Sequence, residues 1–379
     1  MKQEKELKTL PINVEQFYVK SPPYFQTANN NMDYLVSHME QDSPTPLCFV
    51  GPKGTGKTLV IAHFASENNI PIIQYDCSEN TRKGDLIGRY ILRGDETAYQ
   101  LGVLPSAIEL ANEVGQAILV LEELNALAPN MQKQLNQLLD WRRHVFADNG
   151  KTYTLNKGAK LLVCATMNPS TYGGVFELNE DLISRWAQIW VQYPTKEEEK
   201  SIATINGFDK RLLPAIVQKG AWKGNEVTEH AIRITEDQVW RLVYETRTKS
   251  GLSYAISPRD VVQFLTAYQD YLPTCLKEQE EKHGHDVGEI LPILRKSDED
   301  IKEYFVTSLK NGLNGMPANE RTIFSYGSTY AFSMAIEAFV VGKYQDASEK
   351  ETIKQRISSI FGDGIGLHIE EYGEYRIVE

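Results

Sequence analysis

Short apolar runs recur along the first half of the chain, separated by longer stretches with helical spacing. The runs are residues 47–50, 71–75, 117–121, 161–166 and 188–191. Each run is apolar throughout rather than alternating with polar residues, which is typical of parallel strands buried on both faces. Such alternation predicts an α/β fold with helices on both faces of a parallel sheet. Functional residues are then expected just beyond the carboxyl ends of the strands.

The pattern changes near residue 194, where a charged stretch begins a helix. From there to residue 272 we predict helices throughout, with Trp240, Leu242, Val243 and Thr246 on one helix face. Two further helices are predicted at residues 298–313 and 328–341. The chain therefore divides into an α/β domain (1–195), a helical domain (196–272) and a mainly helical extension (273–379) to which the sequence assigns no chemistry.

A glycine-rich motif follows the first apolar run and precedes a stretch that favours a helix. It comprises Gly51, Pro52, Lys53, Gly54, Thr55, Gly56, Lys57 and Thr58. This is the phosphate-binding pattern G-x-x-x-x-G-K-[ST], in which glycines turn backbone N–H groups toward an anion at a helix N-terminus. Lys57 is expected to reach the β- and γ-phosphates, and the Thr58 hydroxyl to hold Mg²⁺. The motif predicts a nucleotide-binding protein.

Two carboxylates, Glu122 and Glu123, follow the apolar run at 117–121. An apolar strand that ends in paired carboxylates gives a phosphate-loop ATPase its metal ligand and its water activator. We predict that Glu122 binds Mg²⁺ and that Glu123 polarises the attacking water. The usual first residue is Asp, so the longer Glu122 raises the question of metal geometry. The alternative is an acidic strand end with no catalytic role.

Three further polar residues are candidates on weaker grounds. Asn168 follows the run at 161–166, where its amide could orient the attacking water, although Asn-Pro also occurs at ordinary strand-to-loop junctions. Arg185 lies near a short predicted helix, and a single arginine there is more often a surface salt-bridge partner. Arg259 follows Pro258 at the start of another helix, where a phosphate-binding role and a capping role are equally open.

Taken in this order, the motifs resemble those of AAA+ ATPases, and more closely the MoxR and dynein-related branch, over roughly residues 20–270. The segment Glu122-Glu123-Leu124-Asn125 is similar to an Asp-Glu-Ile-Asn pattern in that branch. The sequence of the chain is especially similar to the ATPase modules of midasin. The resemblance implies a three-layer α/β/α core followed by a helical lid domain. Trp186 stands where the branch usually has Phe, which is a mild apolar exchange.

The resemblance also implies roles for residues that the pattern alone leaves open. Asn168 would be sensor 1, Arg259 sensor 2, and Arg185 an arginine finger inserted into the nucleotide site of a neighbouring subunit. A finger supplied by a neighbour implies a homo-oligomeric ring, usually a hexamer. Two predicted hairpins, within residues 85–101 and 144–155, would be the helix-2 insert and the hairpin before sensor 1, which line the pore or touch the client in related rings. Proteins of this branch often work with a von Willebrand factor A domain partner.

The composition of the chain argues against several classes of protein and of site. The 379 residues carry a net charge of −11, which argues against a broad basic face for nucleic acid. Four scattered cysteines form no C-x-x-C pair, so neither a zinc site nor a disulfide framework is indicated. No apolar stretch is long enough for a membrane helix, and the charged N-terminus lacks the apolar segment of a signal peptide. We therefore expect a cytoplasmic protein.

The sequence thus predicts a ring-forming, Mg²⁺-dependent ATPase that binds ATP and remodels or activates a partner protein. One alternative is the nucleotide-driven motor of a restriction-type system, in which a related domain prefers GTP. The sequence lacks a guanine-recognition motif of the Asn-Lys-x-Asp type. This absence does not decide between ATP and GTP. A second alternative is a scaffold that binds ATP but hydrolyses it poorly because Glu122 replaces Asp.

Overall fold

The computed structural model describes residues 13–28, 31–93, 96–169, 176–213, 215–219, 230–249, 251–283, 292–310 and 318–361. By its internal contacts the chain separates into two units, Met1–Pro194 and Thr195–Glu379. This division lies one residue from the first of the two boundaries predicted from the sequence.

The first unit is built around parallel strands that alternate with helices. Its strands and helices are, in chain order, α1 (Asn31–Glu40), β1 (Leu47–Val50), α2 (Lys57–Glu67), β2 (Ile72–Asp76), α3 (Lys83–Leu86), β3 (Gly88–Arg93), β4 (Glu96–Leu101), α4 (Val103–Val114), β5 (Gln116–Glu122), α5 (Pro129–Leu139), β6 (His144–Phe146), β7 (Thr152–Thr154), β8 (Lys160–Met167), α6 (Glu180–Ile183) and β9 (Ala187–Trp190). The main sheet has the order β2-β5-β8-β1-β9, with every neighbouring pair parallel. The predicted α/β class is confirmed.

Alternate residues of the central strands enter two separate cores, one on each face of the sheet. In β1, Cys48 packs with the core that contains α4 and α5, whereas Phe49 packs with the core that contains α1 and α2. Burial on both faces explains why these strands are apolar throughout. The result is the three-layer arrangement expected, with the carboxyl ends of β1, β5 and β8 side by side at one edge.

Two antiparallel hairpins are attached to this sheet. In the first, β3 pairs with β4, and its turn at residues 94–95 lies outside the described part of the chain. In the second, β6 pairs with β7, and Gly150 takes a positive φ of 78° in the Asn-Gly turn. Both predicted hairpins are confirmed, except that residues 85–86, expected in a strand, belong to α3.

The second unit is mainly helical. Its elements are α7 (Lys196–Ile205), β10 (Ala215–Lys219), β11 (His230–Ile234), α8 (Glu236–Thr248), α9 (Pro258–His283), α10 (Asp298–Lys310), α11 (Ala318–Phe339) and α12 (Ala347–Phe361). The antiparallel pair β10–β11 contradicts the prediction of helices throughout 196–272. Both strands are rich in β-branched residues, which favour extended structure, and that signal was overlooked.

One hydrophobic core joins the helices of this second unit, from Ala203 in α7 to Phe361 in α12. Helix α9 runs through the predicted domain boundary at residue 272, so the lid and the C-terminal extension do not form separate compact units. Helices α9 and α11 approach closely at Gly327, where an added Cβ would lie 2.6 Å from Leu276 Cδ2. The extension is therefore part of the same packed body as the predicted lid.

Candidate nucleotide-binding site

The phosphate loop connects β1 to α2, as the motif predicts. Gly54 and Gly56 have φ values of 72° and 85°, which residues with a side chain rarely adopt. Gly51 is required for a different reason, because a Cβ there would lie 2.2 Å from the carbonyl oxygen of Val191. The loop leads into the first turn of α2, whose N–H groups have no carbonyl partner within the helix. This edge of the sheet thus presents backbone donors suited to an anion.

Lys57 is buried at the start of α2 and points back over the loop. Its Nζ donates hydrogen bonds to the carbonyl oxygens of Gly51 and Pro52, each at 2.8 Å, and to Asn168 Oδ1 at 3.3 Å. Burial lowers the pKa of Lys57 to about 8, although Glu123 and Glu122 oppose the shift. A buried ammonium held mainly by neutral oxygens is a suitable counter-charge for a bound phosphate.

Thr55 and Lys53 belong to the same loop as this lysine. The Thr55 hydroxyl donates to the carbonyl oxygen of Pro52 at 2.9 Å, which closes the loop on itself. Lys53 is exposed at the loop surface. Every residue of the predicted motif therefore lies in one continuous loop and helix start.

Glu122 ends β5 and reaches the phosphate loop directly. Its Oε2 accepts a hydrogen bond of 2.6 Å from the Thr58 hydroxyl, and its backbone carbonyl accepts one of 2.9 Å from Cys77 N–H. The longer side chain is therefore accommodated without breaking the contact between strand end and loop. Mg²⁺ is commonly held by one or two carboxylates together with substrate phosphates. Thr58 and Glu122 fit that donor set.

Glu123 has a left-handed backbone, with φ of 50° and ψ of 48°. Its N–H donates to Thr166 Oγ1 at 3.2 Å, which ties the turn to the neighbouring strand β8. A non-glycine residue in this region costs of order 1 kcal/mol and marks a position worth a functional hypothesis. The exposed carboxylate lies beside Asn168, whose Nδ2 is 3.5 Å from Glu123 Oε1.

Asn168 is buried at the end of β8, between two other site residues. Its Oδ1 accepts from Lys57, while its Nδ2 points to Glu123. The structure therefore brings together Lys57, Thr58, Glu122, Glu123 and Asn168, contributed by three adjacent elements of the α/β unit. This proximity follows from the strand order, because β5, β8 and β1 are neighbours whose carboxyl ends meet.

The two predicted arginines come from parts of the chain other than the segments that form this cluster. Arg185 follows α6, is half-buried, and donates from Nη1 to the backbone carbonyl of Asp181. It also lowers the pKa of Asp140, as a smaller contribution than the hydrogen bonds from Arg142. Arg259 is in the second unit, exposed on the first turn of α9. Their assigned roles remain predictions.

Sequence reasoning missed the part played by Asn125, although the residue stands in the quoted acidic motif. Its side chain is 3% exposed, and its Nδ2 donates to the backbone carbonyl of Asn168 at 2.9 Å. Its own backbone carbonyl accepts from Phe176 N–H at 2.6 Å. Asn125 thus bonds both to Asn168, directly after β8, and to Phe176, which lies before α6. A polar residue placed two positions after the carboxylates was the only signal available.

This combination of phosphate loop, acidic strand end and buried polar residue on the adjacent strand defines a P-loop nucleotide-binding domain of the three-layer type. Residues 46–186 match the family model of the AAA domain, dynein-related subfamily. Over these residues the chain is therefore similar to AAA domains of the dynein-related subfamily, the branch that its motifs resemble. That span contains every site residue discussed except Arg259.

Known relatives agree with this assignment. Protein CbbQ of Hydrogenophilus thermoluteolus is 25% identical over 219 residues, covering 56% of this chain and 79% of CbbQ. Denitrification regulatory protein NirQ of Stutzerimonas stutzeri is 26% identical over 220 residues, covering 56% of this chain and 77% of NirQ. Midasin of Giardia intestinalis is 27% identical over 175 residues, which is 46% of this chain and 4% of midasin. Over the shared residues the chain is thus similar to MoxR-type and dynein-related AAA+ proteins.

Two kinds of feature are missing from the described residues. Within them, no group of three or more His, Cys, Asp or Glu could form an all-protein metal cage. None of the helices in the described ranges is both long and apolar enough to cross a membrane.

Proposed function

We propose that this protein is a Mg²⁺-dependent ATPase that forms a ring and uses hydrolysis to remodel or activate a partner protein. The observation that carries the proposal is the convergence of Lys57, Thr58, Glu122, Glu123 and Asn168 at one edge of the sheet. A nucleoside triphosphate would be held by the loop N–H groups and by Lys57.

The residues then divide the chemical work. Mg²⁺, when bound through Thr58 and Glu122, would neutralise charge that develops on the phosphate oxygens. Glu123 would accept a proton from the attacking water, and the Asn168 amide, already beside both Glu123 and Lys57, would orient that water. Arg259 and the Arg185 of a neighbouring subunit would supply further positive charge in the transition state.

Exposed apolar side chains support a protein client. In the first hairpin, Leu92 is 81% exposed and Tyr90 is 47% exposed, and in the second Phe146 is 56% exposed. Lys83 pairs with Asp148 at 2.6 Å, and the Tyr90 hydroxyl donates to the Asp148 carbonyl at 3.3 Å. The two hairpins are therefore joined into one surface. In a ring, that surface would contact the client, with a von Willebrand factor A domain protein as a candidate adaptor.

The test is steady-state ATP hydrolysis with Mg²⁺, with mass measured in the same buffer with and without ATP. Glu123→Gln keeps the side chain's size but removes the base, so we expect hydrolysis to fall by about a hundredfold or more while ATP binding persists. Glu113→Gln, an exposed exchange in α4, is the matched control and should behave as wild type. Wild-type hydrolysis no faster than that of Glu123→Gln would contradict the proposal.

One observation favours a second candidate, a nucleotide-gated scaffold that hydrolyses ATP poorly. The Thr58 hydroxyl already donates to Glu122, so the longer carboxylate occupies space close to the expected metal position. If this slows turnover, Glu122→Asp should hydrolyse ATP faster than wild type. If wild type is the faster of the two, the scaffold hypothesis is rejected.

A further inference from the structure

The C-terminal part of the second unit contacts the segment that leads into α9. This segment, residues 251–257, directly precedes the helix turn that carries Arg259. At the first turn of α12, Glu349 accepts two hydrogen bonds from Ser253, one from its N–H at 2.6 Å and one from its hydroxyl at 2.8 Å. A carboxylate that accepts both donors of one residue fixes the backbone there as well as the side chain.

A second contact lies one residue further along the same segment. The Tyr344 hydroxyl donates to the backbone carbonyl of Tyr254 at 2.8 Å, and the two rings pack edge to face with centroids 6.2 Å apart. Tyr344 is itself 1% exposed. The segment before α9 is therefore held by a rigid, buried aromatic residue from the C-terminal part.

The third contact reaches the helix itself. Asp260, the neighbour of Arg259, is 3% exposed and accepts at Oδ2 from Ser257 N–H (2.9 Å), from the Ser257 hydroxyl (2.7 Å) and from the Tyr254 hydroxyl (2.8 Å). Its Oδ1 pairs with Lys343 Nζ at 2.9 Å. A buried carboxylate needs such partners, and here one of them comes from the C-terminal part.

Helix α8 also contacts this segment. Arg247 Nε donates to the carbonyl of Ile256 at 2.8 Å, and its Nη2 pairs with buried Glu199 at 2.7 Å. Thr246 Oγ1 accepts from Ile256 N–H at 3.2 Å. Residues of α8 and of the C-terminal part therefore both hold the segment that leads into the first turn of α9.

We propose that Lys343, Tyr344 and Glu349, here called the C-terminal clamp, are positioning residues that fix the direction in which Arg259 leaves α9. The clamp gives residues 341–349 a function that the motifs do not assign. The inference rests on the proposed function, because Arg259 matters only if it acts on bound nucleotide. A long, exposed arginine reaches a defined point only when its backbone is fixed, and misplacement of a charged group by about 1 Å can reduce a rate roughly a hundredfold.

The clamp is tested by two single variants with matched controls. Glu349→Ala removes both acceptors for Ser253, and Lys343→Met removes the ammonium but keeps most of the side chain's length. Glu351→Ala in the same helix and Lys296→Met make the same exchanges at exposed positions. We expect each clamp variant to lower kcat/KM for ATP by about tenfold, equivalent to ~1.4 kcal/mol of barrier, and the controls to match wild type.

A comparison with Arg259→Ala separates positioning from general loss of structure. If the clamp acts through Arg259, adding Glu349→Ala to Arg259→Ala should lower kcat/KM no further, whereas independent structural damage would add to the loss. Tyr344→Phe, which loses one hydroxyl and retains the ring contact, covers the case in which a larger exchange prevents folding, and we expect the same direction of effect.

Three results would overturn the inference. If Arg259→Ala reduces hydrolysis but folded clamp variants match their controls, the clamp is rejected and the proposed function stands. If the losses from Arg259→Ala and Glu349→Ala add fully, the clamp is structural only. If wild type hydrolyses ATP and Arg259→Ala equals it, the role of Arg259 is rejected together with the clamp.

Discussion

The most specific prediction for a single residue concerns Asn125, because it acts on the site by holding the backbone of Asn168. Its Nδ2 donates to the Asn168 carbonyl at 2.9 Å, and both residues are buried. The Asn125 Oδ1 is also buried, and no group among the residues that the structure describes donates a hydrogen bond to it. Within the described part of the chain, the side chain therefore makes one hydrogen bond, and that bond holds the backbone of Asn168.

The size of the effect follows from these contacts. Asn125→Ala leaves the Asn168 carbonyl buried without its donor, a loss of about 1–3 kcal/mol. The exchange also removes the unpaired Oδ1, which offsets part of that loss, so we expect a stability change near the lower end. The rate should suffer more, because displacement of Asn168 by about 1 Å could lower kcat roughly tenfold to a hundredfold. KM should change little, since the phosphate loop is untouched.

Steady-state ATP hydrolysis and urea unfolding on the same preparation would measure both quantities. Asn130→Ala, an exposed exchange five positions along the chain, is the matched control and should match wild type in both. Asn125→Asp keeps the shape but places an oxygen against the Asn168 carbonyl, so it should not restore kcat. If Asn125→Ala is folded and retains wild-type kcat, the positioning argument is refuted.

The remaining predictions concern stability and the loop. Arg247→Met leaves Glu199 buried without its cation, so unfolding free energy should fall by about 3–5 kcal/mol, and Glu199→Gln added to it should recover part of the loss in urea denaturation. Gly51→Ala forces a Cβ against the Val191 carbonyl and should abolish ATP binding in calorimetry, whereas Gly158→Ala, in open space at a φ of 91°, should cost only about 1 kcal/mol and bind ATP normally.

The sequence predicts the sheet well because local signals and tertiary burial agree there. The strands of the main sheet are apolar throughout, and their packing on both faces requires it, so the sequence predicts β1 to the residue and the other four strands of this sheet to within one residue at each end. The phosphate loop is equally predictable from the sequence, because Gly56, a fixed glycine of the motif, has a positive φ, as does Gly54 at one of the motif's variable positions.

Other features depend on contacts between distant residues, and the local pattern does not reveal them. The pair β10–β11 was overlooked because its β-branched residues lie within a mostly helical region. The position of Asn125 against Asn168 joins residues 43 apart in sequence. A continuous helix and a shared core extend across the predicted boundary at residue 272, and the local pattern does not reveal either of them. Spacing alone could not indicate that residues 343–349 return to contact residues 253–260.

The central claim, that neighbouring subunits share each nucleotide site, is tested most directly by mixing two inactive variants. Arg185→Ala lacks the finger but keeps its own Glu123, whereas Glu123→Gln lacks the base but keeps Arg185. In mixed rings, a site formed by the Glu123 of one variant and the Arg185 of the other is complete. With head-to-tail contacts and equal amounts, about a quarter of the sites should be complete. We predict that ATP hydrolysis reappears on mixing, and mixed rings that remain inactive would contradict the account.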